Sequence, residues 1–397
     1  MKKNIAIICS YPMPVGMAAS TRIMAYSKGM VENGSEVTVF SYVPSGYLYS
    51  SDSKDEDVYE GVAYCYPFRK KRFKNRFLHF LEIIWSIFLT KRRLKTESKK
   101  QKIDVIIISN DNPFILLLFS KIARKLNSKS IFIFDEYPIP IRRYLKSKIP
   151  NWKRKMYKMS LKRLDGYISM TDNLLTYYNS IIPKPSLLLV SIIDIDRFTL
   201  KGFASPKISD TEIRITYMGN MELSKDNIDN IIRAFAITST HSTLKLKLEL
   251  FGAPSKKDKS YLINLINDLE LKDSVMLKFA KFEEVPMILK NSHILVSSQP
   301  NTKRAQGGFP TKLGEYLATG NPTLVTDVGE ISKFVENNVN VFLAHTEDPI
   351  AFSNKLDYIL NNYSQAKIIA RKGKELIKEK YSARMVTKNI IEFVNQI

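Results

Sequence analysis

Residues Gln306 to Asp327 read QGGFPTKLGEYLATGNPTLVTD, and the organisation of the whole chain can be worked outward from them. Two adjacent glycines and a Phe-Pro step open the stretch, Thr311–Ala318 has helical character, Gly320-Asn321-Pro322 breaks it, and Thr323–Thr326 is β-rich and apolar. The order is loop, helix, turn, strand. A Gly-rich loop that opens a helix offers free backbone N–H groups and the positive end of the helix dipole, a combination that favours a phosphate or diphosphate. Glu315 lies inside that helix, too near such an anion to bind it, but placed to accept hydrogen bonds from two neighbouring hydroxyls, as a ribose carries.

The longer pattern GGFPTKLGEYLATGNPTLVTDVGEI resembles the nucleotide-sugar signature of family 4 of the retaining glycosyltransferases. That resemblance implies the GT-B fold: α/β, two facing Rossmann-like domains with parallel sheets and a C-terminal helix crossing back onto the first. In the family two Glu separated by seven residues flank the donor, with Gly-Phe directly after the first. Gly308-Phe309 matches the Gly-Phe and Glu315 the second Glu, while Gly307 stands where the first Glu would be. The resemblance therefore implies that Gly307, Gly308, Phe309, Pro310, Thr311 and Lys312 line the donor, and that the sugar subsite lacks one carboxylate. Asp111 or Glu136, or the main-chain N–H groups of Gly307 and Gly308, are the alternatives for that role.

Outward from this motif, Ile213–Met218, Lys245–Phe251, Val275–Phe279 and His293–Ser298 read as strands, and a helix begins near Asp226 with Ile228, Ile231, Ile232 and Phe235 at core spacing. Gly219-Asn220 after the first strand resembles the family's second diphosphate element. Lys225 takes the place of its Lys, able to neutralise a leaving diphosphate as a point charge, and Asn220 the place of its Arg. Lys281 and Phe282 correspond to the segment that supports the base. The stretch LVSIIDIDRF, Leu189–Phe198, resembles the family hinge, and Lys201–Asp210 is polar enough to be a linker. The domains expected are 1–198, acceptor side; 199–378, nucleotide-sugar side; and 379–397, a returning helix.

The first half alternates strand and helix: Ile5–Cys9, a helix from about Ser20 to Asn33, Glu36–Tyr42, Val58–Tyr66, Asp104–Ser109, a helix Pro113–Leu126, Ser130–Phe134 and Gly166–Met170. Such alternation argues for a parallel sheet covered on both faces. Ligands then sit beyond the carboxyl ends of the strands, which selects the loops 12–20, 109–113 and 135–140. The first carries Gly16, with Arg22 in the helix after it, and resembles the family's Gly-rich loop; the others carry Asp111, Asp135 and Glu136. The histidines, His79, His241, His293 and His345, fall outside these loops, which speaks against a histidine base.

Charge is distributed unevenly. Of a net +22, the window Arg69–Lys102 supplies +11 and Arg142–Arg163 supplies +10, so the rest of the chain is close to neutral. Inside the first window lies FLHFLEIIWSIFLT, Phe77–Thr90, shorter than the ~20 apolar residues of a spanning helix. It fits either the core face of a domain helix or a segment lying in a membrane interface against anionic headgroups. Cys9 and Cys65 make neither a disulfide framework nor a metal cluster, and no Asp-x-Asp motif calls for a divalent cation.

The resemblance implies a glycosyltransferase of the hexosyltransferase type, and nothing in the chain calls for a cofactor or metal. Its donor would be a nucleoside diphosphate sugar, UDP over GDP, and its acceptor a lipid-linked glycan or oligosaccharide in surface polysaccharide synthesis. The expected place is cytoplasmic, peripheral on the inner face of the membrane. The basic pI of 9.6 also raises nucleic-acid binding, but the charge flanks an apolar segment rather than interleaving with aromatic base readers, so no nucleic-acid partner is expected. A sugar-nucleotide epimerase and a non-catalytic binding protein of the same fold are the alternatives.

Overall fold

A computed structural model describes residues 2–45, 54–142, 148–199, 206–209 and 211–397. Of the expected linker, residues 201–205 and 210 lie outside the described residues, as do 143–147 of the second basic window. The chain divides into one unit of Met1–Ile192 with Ala383–Ile397 and a second of Ile193–Ser382. The first division comes before the sequence boundary at Phe198 because the hinge segment bonds into the second unit: Ile193 N donates to Tyr381 O at 2.9 Å, and Arg197 pairs with Glu315. The last helix, Ala383–Gln396, starts later than the expected residue 379 because Ile377–Tyr381 ends the preceding helix as a wider π turn.

Among the described residues of the first unit eight strands run β1 (Asn4–Cys9), β2 (Glu36–Ser41), β3 (Glu56–Tyr59), β4 (Val62–Cys65), β5 (Val105–Ser109), β6 (Lys129–Phe134), β7 (Gly166–Ser169) and β8 (Ser186–Leu188). Their order across the sheet is β3-β4-β2-β1-β5-β6-β7-β8. All neighbours are parallel except β3 and β4. The single strand expected over Val58–Tyr66 is thus a hairpin, since Glu60 and Gly61 both take positive φ (49° and 80°) and turn the chain back. Side chains alternate between two cores: Ile5, Ile7 and Cys9 face one, Ala6 and Ile8 the other. Burial on both faces is why β1 and β5 read as unbroken apolar runs. The helices Ala18–Glu32 and Ala383–Gln396 cross over the first core. They approach so closely at Gly29 that a Cβ would lie 2.3 Å from the Ala383 carbonyl oxygen. Asn33 Nδ2 locks the crossing by donating to Arg384 O (2.8 Å) and Thr387 Oγ1 (2.9 Å).

The second unit holds a six-stranded parallel sheet of β9 (Ile213–Met218), β10 (Leu246–Phe251), β11 (Val275–Lys278), β12 (Ile294–Ser297), β13 (Thr323–Thr326) and β14 (Phe342–Ala344). The order is β11-β10-β9-β12-β13-β14. The helix expected near Asp226 comes in two pieces, Leu223–Asp226 and Ile228–His241, because Asn227 adopts the left-handed region (φ 41°) that Asn tolerates better than most residues. Buried His293 is part of this framework: Nδ1 accepts from Arg214 N at 3.0 Å and Nε2 donates to Lys207 O at 3.0 Å. The strands β8 and β14, three residues each, are too short to show a period in the sequence.

Candidate functional site

In the second unit the chain leaves β9 at Gly219, whose N–H donates to Phe251 O at 2.9 Å. The turn is tight on both sides. A Cβ on Gly219 would come within 2.2 Å of Tyr217 Oη and 2.8 Å of Lys312 Nζ, and one on Gly252 would come within 2.0 Å of Gly219 O. Only glycine lets the backbone lie so close to the groups beneath it. Asn220 is exposed beyond the turn, Met221 takes φ 54°, and Lys225 sits half-buried on the short helix that follows.

Two ion pairs tie this loop to the Gln306 motif. Lys312 Nζ lies 2.5 Å from Asp226 Oδ1 and 3.1 Å from Tyr217 Oη, and Asp226 is 1% exposed. Burial alone would neutralise both partners, raising the carboxyl and lowering the ammonium; the close contact with Lys312 holds Asp226 ionised, below its ordinary range. Lys312, expected among the donor contacts, therefore has its charge engaged by Asp226. The second pair is Arg304 Nη1 to Glu222 Oε1 at 3.0 Å.

The expected loop is shorter in the structure: Gln306 and Gly307 close the helix Lys303–Gly307, and residues 308–310 connect it to the helix Thr311–Thr319. Gly308 N donates to Arg304 O at 3.1 Å, closing the first helix, so this main-chain N–H is not available to a sugar. Phe309 is buried edge-on against Phe334, with centroids 5.2 Å apart. No side chain caps the helix that Pro310 and Thr311 open. Tyr316 anchors it to the end of β9, accepting from Met218 N at 2.8 Å. Directly before it, Glu315 Oε1 accepts from Arg197 Nη1 at 2.8 Å, and the Arg197 guanidinium lies 4.2 Å from the centre of the Phe282 ring. Arg197, Glu315 and Phe282 are thus one cluster, while Lys281 is exposed beside it.

In the first unit the carboxyl ends of β5 and β6 bring Asp111 and Glu136 together around Arg142, whose guanidinium is 2.7 Å from Glu136 Oε2 and 3.8 Å from Asp111 Oδ2. Arg22, expected at the substrate, is buried; it pairs with Asp135 and reaches Met170 Sδ at 3.1 Å, so its charge is neutralised inside the unit. Gly16 lies on the loop before the same helix. Among the described residues no cluster of His, Cys, Asp or Glu is arranged to hold a metal ion.

On the helix Arg76–Lys100, Glu82, Ser86, Thr90 and Leu94, spaced by four, face inward. Phe77 (68% exposed), Phe80 (58%), Ile84, Trp85 and Phe88 face outward. Glu82 is accommodated because Arg69 Nε (2.8 Å), Phe73 N (2.8 Å) and His79 Nδ1 (3.2 Å) surround it, and they hold its carboxyl ionised against burial. Ile83 and Ile87 touch the core, so the outward residues form a separate apolar face flanked by the basic window. The core-face reading of Phe77–Thr90 describes Ile83 and Ile87, while the exposed aromatic residues lie on the other side of the same helix. Among the described residues no helix is long and apolar enough to cross a membrane.

The two sheets, parallel but for the β3–β4 pair and each covered by helices, make an α/β protein of the GT-B fold. Residues 200–376 match the family model described as glycosyl transferases group 1. The uncharacterized glycosyltransferase MJ1607 of Methanocaldococcus jannaschii is 24% identical over 186 residues, 46% of this chain and 45% of that one, so the shared part is under half of either. Among solved structures, sucrose-phosphate synthase from Thermosynechococcus elongatus superposes with TM-score 0.73 at 14% identity, covering 100% of this chain and 99% of that one. A glycosyltransferase from Rickettsia africae gives 0.70 at 15%, covering 100% and 98%. HepE from Anabaena in complex with UDP gives 0.66 at 12%, covering 100% of both.

Reasoning from sequence did not find Tyr217, Glu222, Asp226, Arg304 or Arg142. Asp226, next to Lys225, carried a signal in hindsight: an acid at the end of a helix turn beside a lysine invites a buried counter-ion. The remainder are brought together only by the crossing of loops far apart in the chain.

Proposed function

We propose that this protein is a retaining glycosyltransferase that moves a sugar from a nucleoside diphosphate sugar, UDP in preference to GDP, to a lipid-linked glycan at the cytoplasmic face of a membrane, in building a surface polysaccharide. The observation that carries the reading is the Gly219 turn tied to the Gly-Gly-Phe-Pro loop, with Glu315 one turn further along the same helix. The family match over residues 200–376 supports it, and so does the UDP bound to HepE.

The chemistry breaks the bond from the anomeric carbon to the diphosphate. Lys225 and the uncapped start of the helix Thr311–Thr319 oppose the charge that develops on the leaving oxygens. A diphosphate oxygen then takes the acceptor's proton on the face it leaves, so the new bond keeps the anomeric configuration and no side-chain base is needed. Glu315 accepts from the ribose, Phe282 and Lys281 support the base, and Asp111 and Glu136 meet sugar hydroxyls with the lone pairs that Arg142 leaves over. Incubation with a panel of labelled nucleotide sugars, followed by NMR of the product linkage, tests this. An inverted linkage overturns the retaining mechanism, an epimerised nucleotide sugar points to the epimerase, and donor binding without product to a binding module.

The membrane part of the proposal rests on the outward apolar face of the helix Arg76–Lys100 within a window of net charge +11. A basic residue near an anionic surface contributes ~1 kcal/mol, so a few such residues and the buried aromatics hold the protein at the bilayer. The protein is expected to sediment with anionic vesicles at low salt, and less at high salt or with neutral lipid. Phe80→Ser with Trp85→Ser should weaken this without touching Glu82. Protein that stays in the supernatant at both salt concentrations refutes membrane docking.

A further inference from the structure

We propose that Arg304 is the guanidinium that meets the donor's diphosphate, and that Glu222 holds it in position until the anion arrives. The inference rests on the donor reading above. A diphosphate brings more than one negative charge to the Gly219 turn, so the cations there decide its affinity. Lys312 is engaged by Asp226 and cannot turn toward a ligand without stranding a carboxylate that is 1% exposed. Asn220, directly after the glycine, is uncharged. Lys225 supplies a point charge but not a planar fork.

Arg304 has the right chemistry and is held by both loops. Its carbonyl accepts from Gly308 N at 3.1 Å, which fixes its backbone to the Gly-Gly-Phe-Pro segment. Its Nη1 reaches Glu222, three residues beyond Gly219, at 3.0 Å. The head group therefore lies where the two loops approach each other. The two cations are similarly covered, Arg304 19% and Lys312 14% exposed, but the carboxylates differ: Glu222 is 43% exposed and Asp226 1%. An ion pair with one partner so exposed is worth little, and a phosphate that takes two parallel N–H bonds from arginine competes well for it. The contrast assigns the two pairs different jobs: Asp226–Lys312 keeps the turn in place, and Glu222–Arg304 is exchangeable.

Calorimetry on the full chain with UDP, UMP and uridine separates this from a purely structural clip between the loops. Arg304→Gln is expected to weaken UDP about ten- to a hundredfold, UMP less, and uridine not at all. Glu222→Gln, which removes the competing carboxylate, should bind UDP no more weakly than the native protein, and more tightly at low salt. If Arg304 merely clips the loops, Glu222→Gln and Arg304→Gln weaken UDP and uridine alike, and the assignment falls. Native protein that binds uridine and UDP equally also overturns it while leaving the nucleotide site standing. Binding of neither UDP nor GDP to native protein overturns the donor reading and this assignment with it.

Discussion

Glu315→Gln is expected to weaken UDP binding about ten- to a hundredfold while the protein stays folded. A charge-assisted hydrogen bond contributes ~1.5–3 kcal/mol, and each 1.4 kcal/mol is a factor of about ten in affinity. Glutamine keeps one acceptor, but it puts an N–H₂ group where the carboxylate meets Arg197 or the ribose. Arg197 already occupies one carboxylate oxygen at 2.8 Å, so the carboxylate is oriented before ligand arrives. The same substitution leaves the Arg197 guanidinium stacked on Phe282 without its counter-ion, and a part of the loss comes from there. Because the ribose is common to both ligands, uridine should lose affinity along with UDP, unlike in Arg304→Gln. Unchanged affinity for both in calorimetry would remove Glu315 from the site.

Asp226→Ala should produce the largest change in stability. It leaves the Lys312 ammonium without its partner beneath Gly219, and breaking an enclosed ion pair from one side costs ~3–5 kcal/mol. For a unit of this size that is roughly a 10 °C fall in Tm. Removing both charges, as in Asp226→Leu with Lys312→Met, should recover most of the loss, because a packed apolar pair has no charge to desolvate. The pH dependence gives a second reading. Asp226 has its folded value lowered, so the pair's contribution is complete above the ordinary carboxylate value near ~3.9 and is lost as pH falls through the lower folded value. In thermal melts the native protein should therefore lose its advantage over Asp226→Ala only in strong acid. Equal melting of native and Asp226→Ala protein at neutral pH would show that the pair does not hold the turn.

Much of the fold was legible because its signals are local. Unbroken apolar runs such as residues 105–108 announce strands buried on both faces, and Gly320 closes a helix with the positive φ (77°) that glycine takes without strain. Residues 308–310 and the helix bearing Glu315 were likewise readable, since loop and helix are consecutive in the chain. The hairpin at Glu60-Gly61 and the break at Asn227 were missed although each rests on a turn residue: a single left-handed residue interrupts a periodic pattern without changing its composition.

By itself the amino-acid order determined the alternation of strands and helices, the place of the glycine turns and the concentration of charge in two segments, all properties of neighbours along the chain. Only the tertiary structure decided which charges remain for a ligand. It paired Lys312 with Asp226 and Arg22 with Asp135, contacts across 86 and 113 residues, because a charge taken out of water must find its opposite wherever the fold puts one. It also gave Phe77–Thr90 two apolar sides, Ile83 and Ile87 toward the core and the aromatic residues outward. The stripe Glu82, Ser86, Thr90 could go inward because Arg69, Phe73 and His79 supply Glu82 with partners, and that left the aromatic residues of the same helix facing outward.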